Sequence, residues 1–363
     1  RHMMLLFFVL GLAALVAGAQ VLVRGASKLA LSFGISPLVV GLTVVAFGTS
    51  APEFAVSLRS SFAGQVDIAL GNVVGSNIFN VLFILGVSAL ITPLVVAPQL
   101  IRQEVPIMIG ASLLVLALAL DGEIGRLDGG LLFGLLLAYT VFLVRQSRRE
   151  SRETQAGYGE QTVAGDASDW DRHWSVQLLL IAGGLVLLVI GAGWLVDAAV
   201  SFARILGLSE MVIGLTIVAA GTSLPEVATS LIATLRGERD IAVGNVIGSN
   251  TFNLLGVLGL SGLLAPAGLP VGAAMIAFDL PVMIAVALAC LPIFFSGHLI
   301  ARWEGALFLA YYVAYTAWLL LAAQQHAATA TYGSVMLGFA LPLTAVTLGI
   351  VAWREWRARR GGP

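Results

Sequence analysis

One block of this chain occurs twice. Residues 41–80 align on residues 214–253 without a gap at a constant offset, 226 − 53 = 173, and 25 of the 40 positions are identical. The same offset carries Gly11, Gly18, Leu22 and Gly34 onto Gly184, Gly191, Leu195 and Gly207. How the two copies face each other depends on how often each crosses its surroundings.

Those surroundings are lipid. Hydrophobic residues make up 59% of the 363 and charged residues 11%, against about a quarter charged in soluble domains. A mean hydropathy of +0.97 means more apolar surface than one aqueous core hides. The single cysteine, Cys290, lies in an apolar run, which excludes an internal disulfide and a cysteine metal cluster. The four histidines have no zinc spacing. Arg1 to Met4 read as a tag scar.

Eleven apolar runs are long enough to span a bilayer, near residues 4–23, 37–63, 68–92, 105–120, 127–144, 176–196, 210–235, 241–264, 280–296, 303–323 and 334–353. With the N-terminus outside, the cytoplasmic side holds 15 of the 19 Arg and Lys, and the outer loops hold only Arg59, Arg126 and Arg204. This reading predicts an all-α polytopic membrane protein in four parts. Residues 4–144 form a first repeat of five helices and residues 145–175 a cytoplasmic linker. Residues 176–323 form the second five-helix repeat, and 324–363 an eleventh transmembrane helix with a basic cytoplasmic tail. Five is odd, so the second copy enters the membrane from the opposite side. The ten helices then form two inverted repeats, the architecture of secondary transporters that work by alternating access. The predicted location is the inner (plasma) membrane of a prokaryote, multi-pass, with the C-terminus cytoplasmic.

The identity peaks at polar residues in mid-membrane, which packing alone does not explain. The block reads Gly48-Thr49-Ser50-Ala51-Pro52-Glu53, repeated as Gly221-Thr222-Ser223-Leu224-Pro225-Glu226. Glu53 lies 53 − 37 = 16 residues into its helix, about 24 Å deep. A carboxylate there costs about 3 kcal/mol on insertion scales, so it must face the interior and meet a cation or a proton. Neither repeat offers an Arg or Lys at that depth. Pro52 and Pro225 break their helices beside the acids. The break frees carbonyls around Ala46 to Gly48 and Ala219 to Gly221. Together with the hydroxyls of Thr49, Ser50, Thr222 and Ser223 these are hard oxygen donors, suited to Na⁺ or Ca²⁺ rather than soft transition metals.

A partner block runs from Asp67 to Asn80 and again from Asp240 to Asn253. Ser76 and Asn80 share one helix face, as do Ser249 and Asn253. The Gly71/Gly75 and Gly244/Gly248 pairs read as close helix packing. Asn72, Asn77, Asn245 and Asn250 read as interhelical hydrogen bonds. Asp67, Asp240, Glu104 and Asp279 read as helix caps, and His298, Trp303 and Tyr311, Tyr312 and Tyr315 as interfacial anchors.

With these motifs the chain resembles the cation/Ca²⁺ exchanger superfamily, and within it the prokaryotic Na⁺/Ca²⁺ exchangers. The resemblance implies that Glu53 and Glu226 hold Ca²⁺ at the centre. They would share Na⁺ sites with Ser50, Ser223, Ser76, Ser249, Thr49, Thr222 and the Ala46 and Ala219 carbonyls, with Asn80 and Asn253 flanking. It further implies a secondary active antiporter, with Ca²⁺ and Na⁺ as cargo, the bilayer as partner, and no nucleic acid, obligatory protein partner or cofactor. Family members often carry an aspartate where this chain has Asn80 or Asn253, so only two acids remain here. A Ca²⁺/H⁺ antiporter using the same glutamates and a passive cation channel are the competing readings. An enzyme is not expected, since no Ser/His constellation, aspartate pair or metal triad lies at depth.

Overall fold

The computed structural model describes residues 2–157, 171, 173–207, 217, 219–323, 328–337 and 341–360. The fold is that of an all-helical membrane protein. Eight of the described helices are each long and apolar enough to cross a bilayer, and a ninth span arises if Pro37–Thr49 and Ala51–Phe62, bent by 46° at their junction, count as one. In chain order the helices are α1 (His2–Phe33), α2 (Pro37–Thr49), α3 (Ala51–Phe62), α4 (Val66–Ile91) and α5 (Leu100–Ala119). Then follow α6 (Arg126–Gly157), α7 (Trp174–Ile205), α8 (Ala219–Gly221) and α9 (Leu224–Leu235). The last are α10 (Arg239–Leu264), α11 (Met275–Phe295), α12 (Arg302–Ala323), α13 (Ala328–Val335) and α14 (Leu341–Arg360).

Local chemistry sets where they begin. The Ser36 hydroxyl accepts the Val39 N–H at 3.2 Å and so caps α2. Pro37 follows in the first turn, where a missing N–H costs nothing. Burial then sorts the helices. In α10 94% of the apolar window is buried, and in α4 72%, against 33% in α1 and 28% in α7. Thus α4 and α10 form the middle of the bundle, while α1 and α7 face mostly outward. The outer pair packs in a second apolar cluster, with Leu15, Leu22 and Val23 of α1 and Ile181 and Leu188 of α7, which also takes in Val40 and Val45 of α2, Ala233 of α9 and Ile241 of α10.

The helix pairings obey a two-fold relation between the repeats. Gly11 of α1 meets Gly191 of α7, and Gly18 meets Gly184. Applying the 173-residue offset to either pair gives the other. Two short antiparallel pairings behave alike: β1 (Leu94–Val95) pairs with β4 (Leu299–Ile300), and β2 (Glu123–Ile124) with β3 (Leu269–Pro270). Each joins two loops that the basic-residue pattern puts on one side of the membrane.

Several boundaries differ from the sequence reading. Of the eleventh span expected over 334–353, the described residues belong to α13, a π-helical continuation at 336–337, and α14, while residues 338–340 lie outside the described residues. The charges from Arg354 to Arg360 leave α14 too polar to count among the crossing helices. Within the expected linker, α6 runs on to Gly157. That segment is rich in Arg and Glu, both good helix formers. The rest of the linker, apart from Asp171 and residues 173–175, lies outside the described residues, as do residues 210–216 and 218 of the seventh expected span.

Glu104 and Asp279 do not cap. Helices α5 and α11 begin upstream, each with a π-helical turn, over Leu100–Glu104 and Met275–Asp279. Buried Glu104 instead takes hydrogen bonds from Gln99 Nε2 at 2.9 Å, Gln103 Nε2 at 2.7 Å and the Tyr139 hydroxyl. Asp67 and Asp240 are second in their helices and accept no cap bond that the structure records, with Gln65 and Glu238 at the cap positions.

Candidate metal centre

The proline breaks place the acids. Ser50 occupies the junction of α2 and α3 with ψ 7°, and Ser223 the equivalent position before α9 with ψ 8°. Helical hydrogen bonding lapses there because Pro52 and Pro225 bring no N–H. A new helix starts at once, which puts Glu53 and Glu226 in its first turn. The free amides and positive dipole end of that turn favour a carboxylate.

Both acids are fully buried, 0% exposed, and each is bonded by the opposite repeat. Ser223 Oγ donates to Glu53 Oε1 at 2.7 Å, and Ser50 Oγ to Glu226 Oε1 at 3.0 Å. Ser76 joins the first of these, 3.1 Å from Ser223 Oγ and 3.5 Å from Glu53 Oε1. Its counterpart Ser249 is buried with its hydroxyl unpartnered.

The threonines also cross between repeats. Thr49 donates to Asn245 Oδ1 at 3.0 Å and Thr222 to Asn72 Oδ1 at 3.1 Å. The amide of Asn72 donates to the Glu53 carbonyl at 3.0 Å and to Ser57 at 2.9 Å. Asn245 does the same to the Glu226 carbonyl at 3.4 Å and Ser230 at 3.0 Å. The expected freeing of the Ala46 carbonyl is only partial. It still receives the Ser50 N–H at 3.1 Å and lies 3.4 Å from Thr49 Oγ1. The helix breaks one residue too late to release it fully, yet the Thr49 proton is spent on the shorter bond to Asn245. Ala219 opens α8.

What remains unsatisfied defines the chemistry. Glu53 Oε2, Glu226 Oε2, Asn80 Oδ1 and Asn253 Oδ1 are buried with no hydrogen-bond partner. Two come from each repeat, in symmetry-related positions. Buried acceptors are ordinarily paired, and among the described residues no cationic side chain reaches the two acids, the recorded ion pairs being Arg24 and Lys28 with Asp171. Four bare hard oxygens, two from carboxylates and two from amides, suit an alkali or alkaline-earth cation.

The sequence-expected residues Glu53, Glu226, Ser50, Ser223 and Ser76 therefore meet through direct hydrogen bonds. Thr49 and Thr222 are held one bond away by Asn245 and Asn72. The sequence reading missed Ser57 and Ser230. Each stands four residues beyond an acid and is identical in both copies, the signal that could have found it. Gly244 and Gly248 do pack closely, with an added Cβ 2.9 Å from Leu38 O and 2.5 Å from Leu42 O. The residues equivalent to Leu38 and Leu42, at 211 and 215, lie outside the described residues.

Residues 3–145 and 176–321 match the family model described as sodium/calcium exchanger protein. The chain is 40% identical over 258 residues to the inner membrane protein YrbG of Escherichia coli, covering 71% of this chain and 79% of that one. It is 37% identical over 339 residues to the sodium/calcium exchanger MaX1 of Methanosarcina acetivorans, covering 85% and 96%. The solved sodium-calcium exchanger NCX_Mj, soaked with zero Na⁺ and Ca²⁺, superposes with a TM-score of 0.73 at 32% identity, covering 87% of this chain and 98% of that one.

Proposed function

The chain belongs to the sodium/calcium exchanger family, and from that premise we propose that it exchanges Ca²⁺ for Na⁺ by alternating access at the site built on Glu53 and Glu226. The observation that carries this reading is the set of four unpartnered buried oxygens on Glu53, Glu226, Asn80 and Asn253. One Ca²⁺ neutralises the two carboxylates, and so do two Na⁺; a third Na⁺ carries one net charge across. Ca²⁺ and Na⁺ compete for the same glutamate oxygens, so they do not occupy the centre together. That exclusion couples their opposite fluxes.

The hydroxyls of Ser50 and Ser223 orient one oxygen of each acid and leave the other for the cation. Without a cation, two carboxylates in a dry interior resist the passage between faces, which suppresses leak. Helices α1 and α7, outward-facing and joined through glycines, move against the bundle that holds the site. The protein sits in the prokaryotic plasma membrane with its N-terminus outside, as the basic residues indicate.

Uptake of radioactive Ca²⁺ into proteoliposomes tests this. A Na⁺ gradient drives uptake in the unchanged protein, and Glu53→Gln or Glu226→Gln abolishes it. Full uptake by Glu53→Gln overturns the glutamate site. Uptake driven by a pH gradient in the absence of Na⁺ replaces Na⁺ coupling with proton coupling, and Ca²⁺ flux with no counter-ion indicates a channel.

A further inference from the structure

Four buried asparagines close a ring between the repeats. Asn77 Nδ2 donates to the backbone carbonyl of Asn250 at 3.2 Å, and Asn250 Nδ2 to that of Asn77 at 3.1 Å. Asn80 Nδ2 donates to Asn250 Oδ1 at 3.0 Å, and Asn253 Nδ2 to Asn77 Oδ1 at 3.0 Å. Their exposures are 2%, 0%, 3% and 0% for Asn77, Asn80, Asn250 and Asn253, so water does not substitute for a missing partner.

The direction of every bond in the ring is forced. A backbone carbonyl only accepts, so the NH₂ of Asn77 must face Asn250 O and its Oδ1 must face Asn253. An acceptor facing Asn253 demands a donor, so Asn253 turns its NH₂ to the ring. Its Oδ1 is left pointing away, and that is the atom found unpartnered. The same logic runs from Asn250 to Asn80. A flipped Asn253 would set oxygen against oxygen inside the ring and aim an NH₂ at the cation.

We propose that Asn77 and Asn250 are positioning residues that lock the amides of Asn253 and Asn80 so that both present oxygen, never nitrogen, to the transported cation. This rests on the reading of Asn80 and Asn253 as cation ligands. The ring also links α4 to α10, the two most buried long helices, so it fixes these oxygens on the part of the bundle that stays still. It further accounts for an amide at both positions: a carboxylate at 253 has no hydrogen to give Asn77 Oδ1, so the ring holds the site at two acids.

The pairing makes a specific prediction. Asn77→Ala removes the partner of Asn253 but leaves the Asn77 carbonyl that holds Asn250, so Asn80 stays oriented. Half-saturating Ca²⁺ is measured in proteoliposomes for Asn77→Ala, Asn253→Ala, Asn80→Ala and the two doubles containing Asn77→Ala. Each single change raises half-saturation about tenfold, the scale of one lost polar contact. Asn77→Ala added to Asn253→Ala changes it less than twofold, whereas added to Asn80→Ala it costs the full factor again.

A merely structural Asn77 costs the same factor in both backgrounds, and that result overturns the proposal. So does an Asn77→Ala protein with unchanged Ca²⁺ dependence. If Asn77→Ala does not fold, the mirror set of Asn250→Ala with Asn80→Ala and Asn253→Ala gives the same comparison. An Asn253→Ala change without effect on Ca²⁺ removes the ligand and this inference with it. The exchanger reading is then still decided separately by Glu53→Gln.

Discussion

Gly18 of α1 and Gly184 of α7 lie backbone against backbone: a Cβ on Gly18 would stand 2.8 Å from Gly184 O, and a Cβ on Gly184 2.8 Å from Gly18 O. Gly11 and Gly191 repeat the arrangement one contact along, at 2.9 and 2.8 Å. The atoms in the way are carbonyls and main-chain nitrogens, which do not swing aside, so any side chain must push the helices apart. Gly18→Val should therefore lower stability by about 1–3 kcal/mol, the usual cost of overpacking, measured as thermal unfolding in detergent. Exposed Gly183, with nothing near its Cβ position, is the control. Gly183→Ala should be neutral or stabilise by up to ~1 kcal/mol. Equal losses at both positions would mean that the close approach is not what holds the pair.

Pro52 separates α2 from α3, which meet at 46°. Pro52→Ala restores an N–H for the Gly48 carbonyl, so the helix straightens and gains rather than loses local stability. The cost falls on the site. Ser50 at the junction swings away from Glu226, and the Glu226 carboxylate loses its donor at 3.0 Å. The expected result is an unfolding temperature unchanged or raised, with half-saturating Ca²⁺ up about tenfold, the effect of a lost charge-assisted hydrogen bond. Unchanged Ca²⁺ dependence would show that packing, not proline, keeps the bend.

The glutamates, serines and prolines were legible because they occur twice at one offset, and because a carboxylate in lipid needs a partner. The 173-residue offset makes Gly11 the counterpart of Gly184 and Gly18 that of Gly191, so either glycine contact implies the other, but that α1 meets α7 at all was not legible. The π-helical turns at Asn80–Leu85 and Asn253–Val257 were not legible. A π turn inserts one residue without changing apolar periodicity enough to mark it. Glu104 was misread as a cap because Pro106 follows it, and proline marks helix starts. The three donors that hold it come from Gln99, Gln103 and Tyr139, and only the fold brings Tyr139 within reach. Asn77 and Asn250 were visible as polar residues, but the direction of their bonds depends on which carbonyl each amide meets.

The Tyr139 hydroxyl bonds Glu104 Oε2, and no other donor is recorded on that oxygen. Tyr139→Phe leaves a buried acceptor bare, which costs about 1–3 kcal/mol. In the second repeat Tyr315 donates to Asp279 over a longer 3.4 Å, so Tyr315→Phe should cost less. No bond links either pair to the asparagine ring among the described residues, so both variants should keep the Ca²⁺ dependence of the unchanged protein. Unfolding curves and Ca²⁺ titrations on the same preparations check the ranking. A larger loss for Tyr315→Phe would reverse the assignment of the stronger bond.

Asp171, 1% exposed, accepts from Arg24 Nε at 2.8 Å and lies 3.8 Å from Lys28 Nζ, tying the chain just before α7 to α1. The bond from Arg24, with the Lys28 charge behind it, holds the Asp171 carboxyl below its usual value. An acid lowered on folding stabilises the fold at every pH above its unfolded value, about 3.9, and loses that contribution as pH falls through the lower folded value. From pH 7 to pH 5 the tie should therefore be constant, and it should fail only under about pH 4. Asp171→Asn lacks the charge at all pH values, so it should unfold at a lower temperature than the unchanged protein at pH 7 and pH 5. The gap should close near pH 3, and added salt should narrow it at pH 7, since Arg24 and Lys28 are 44% and 43% exposed. A gap of the same size at pH 3 as at pH 7 would mean that Asp171 acts through its shape and neutral hydrogen bonds rather than its charge.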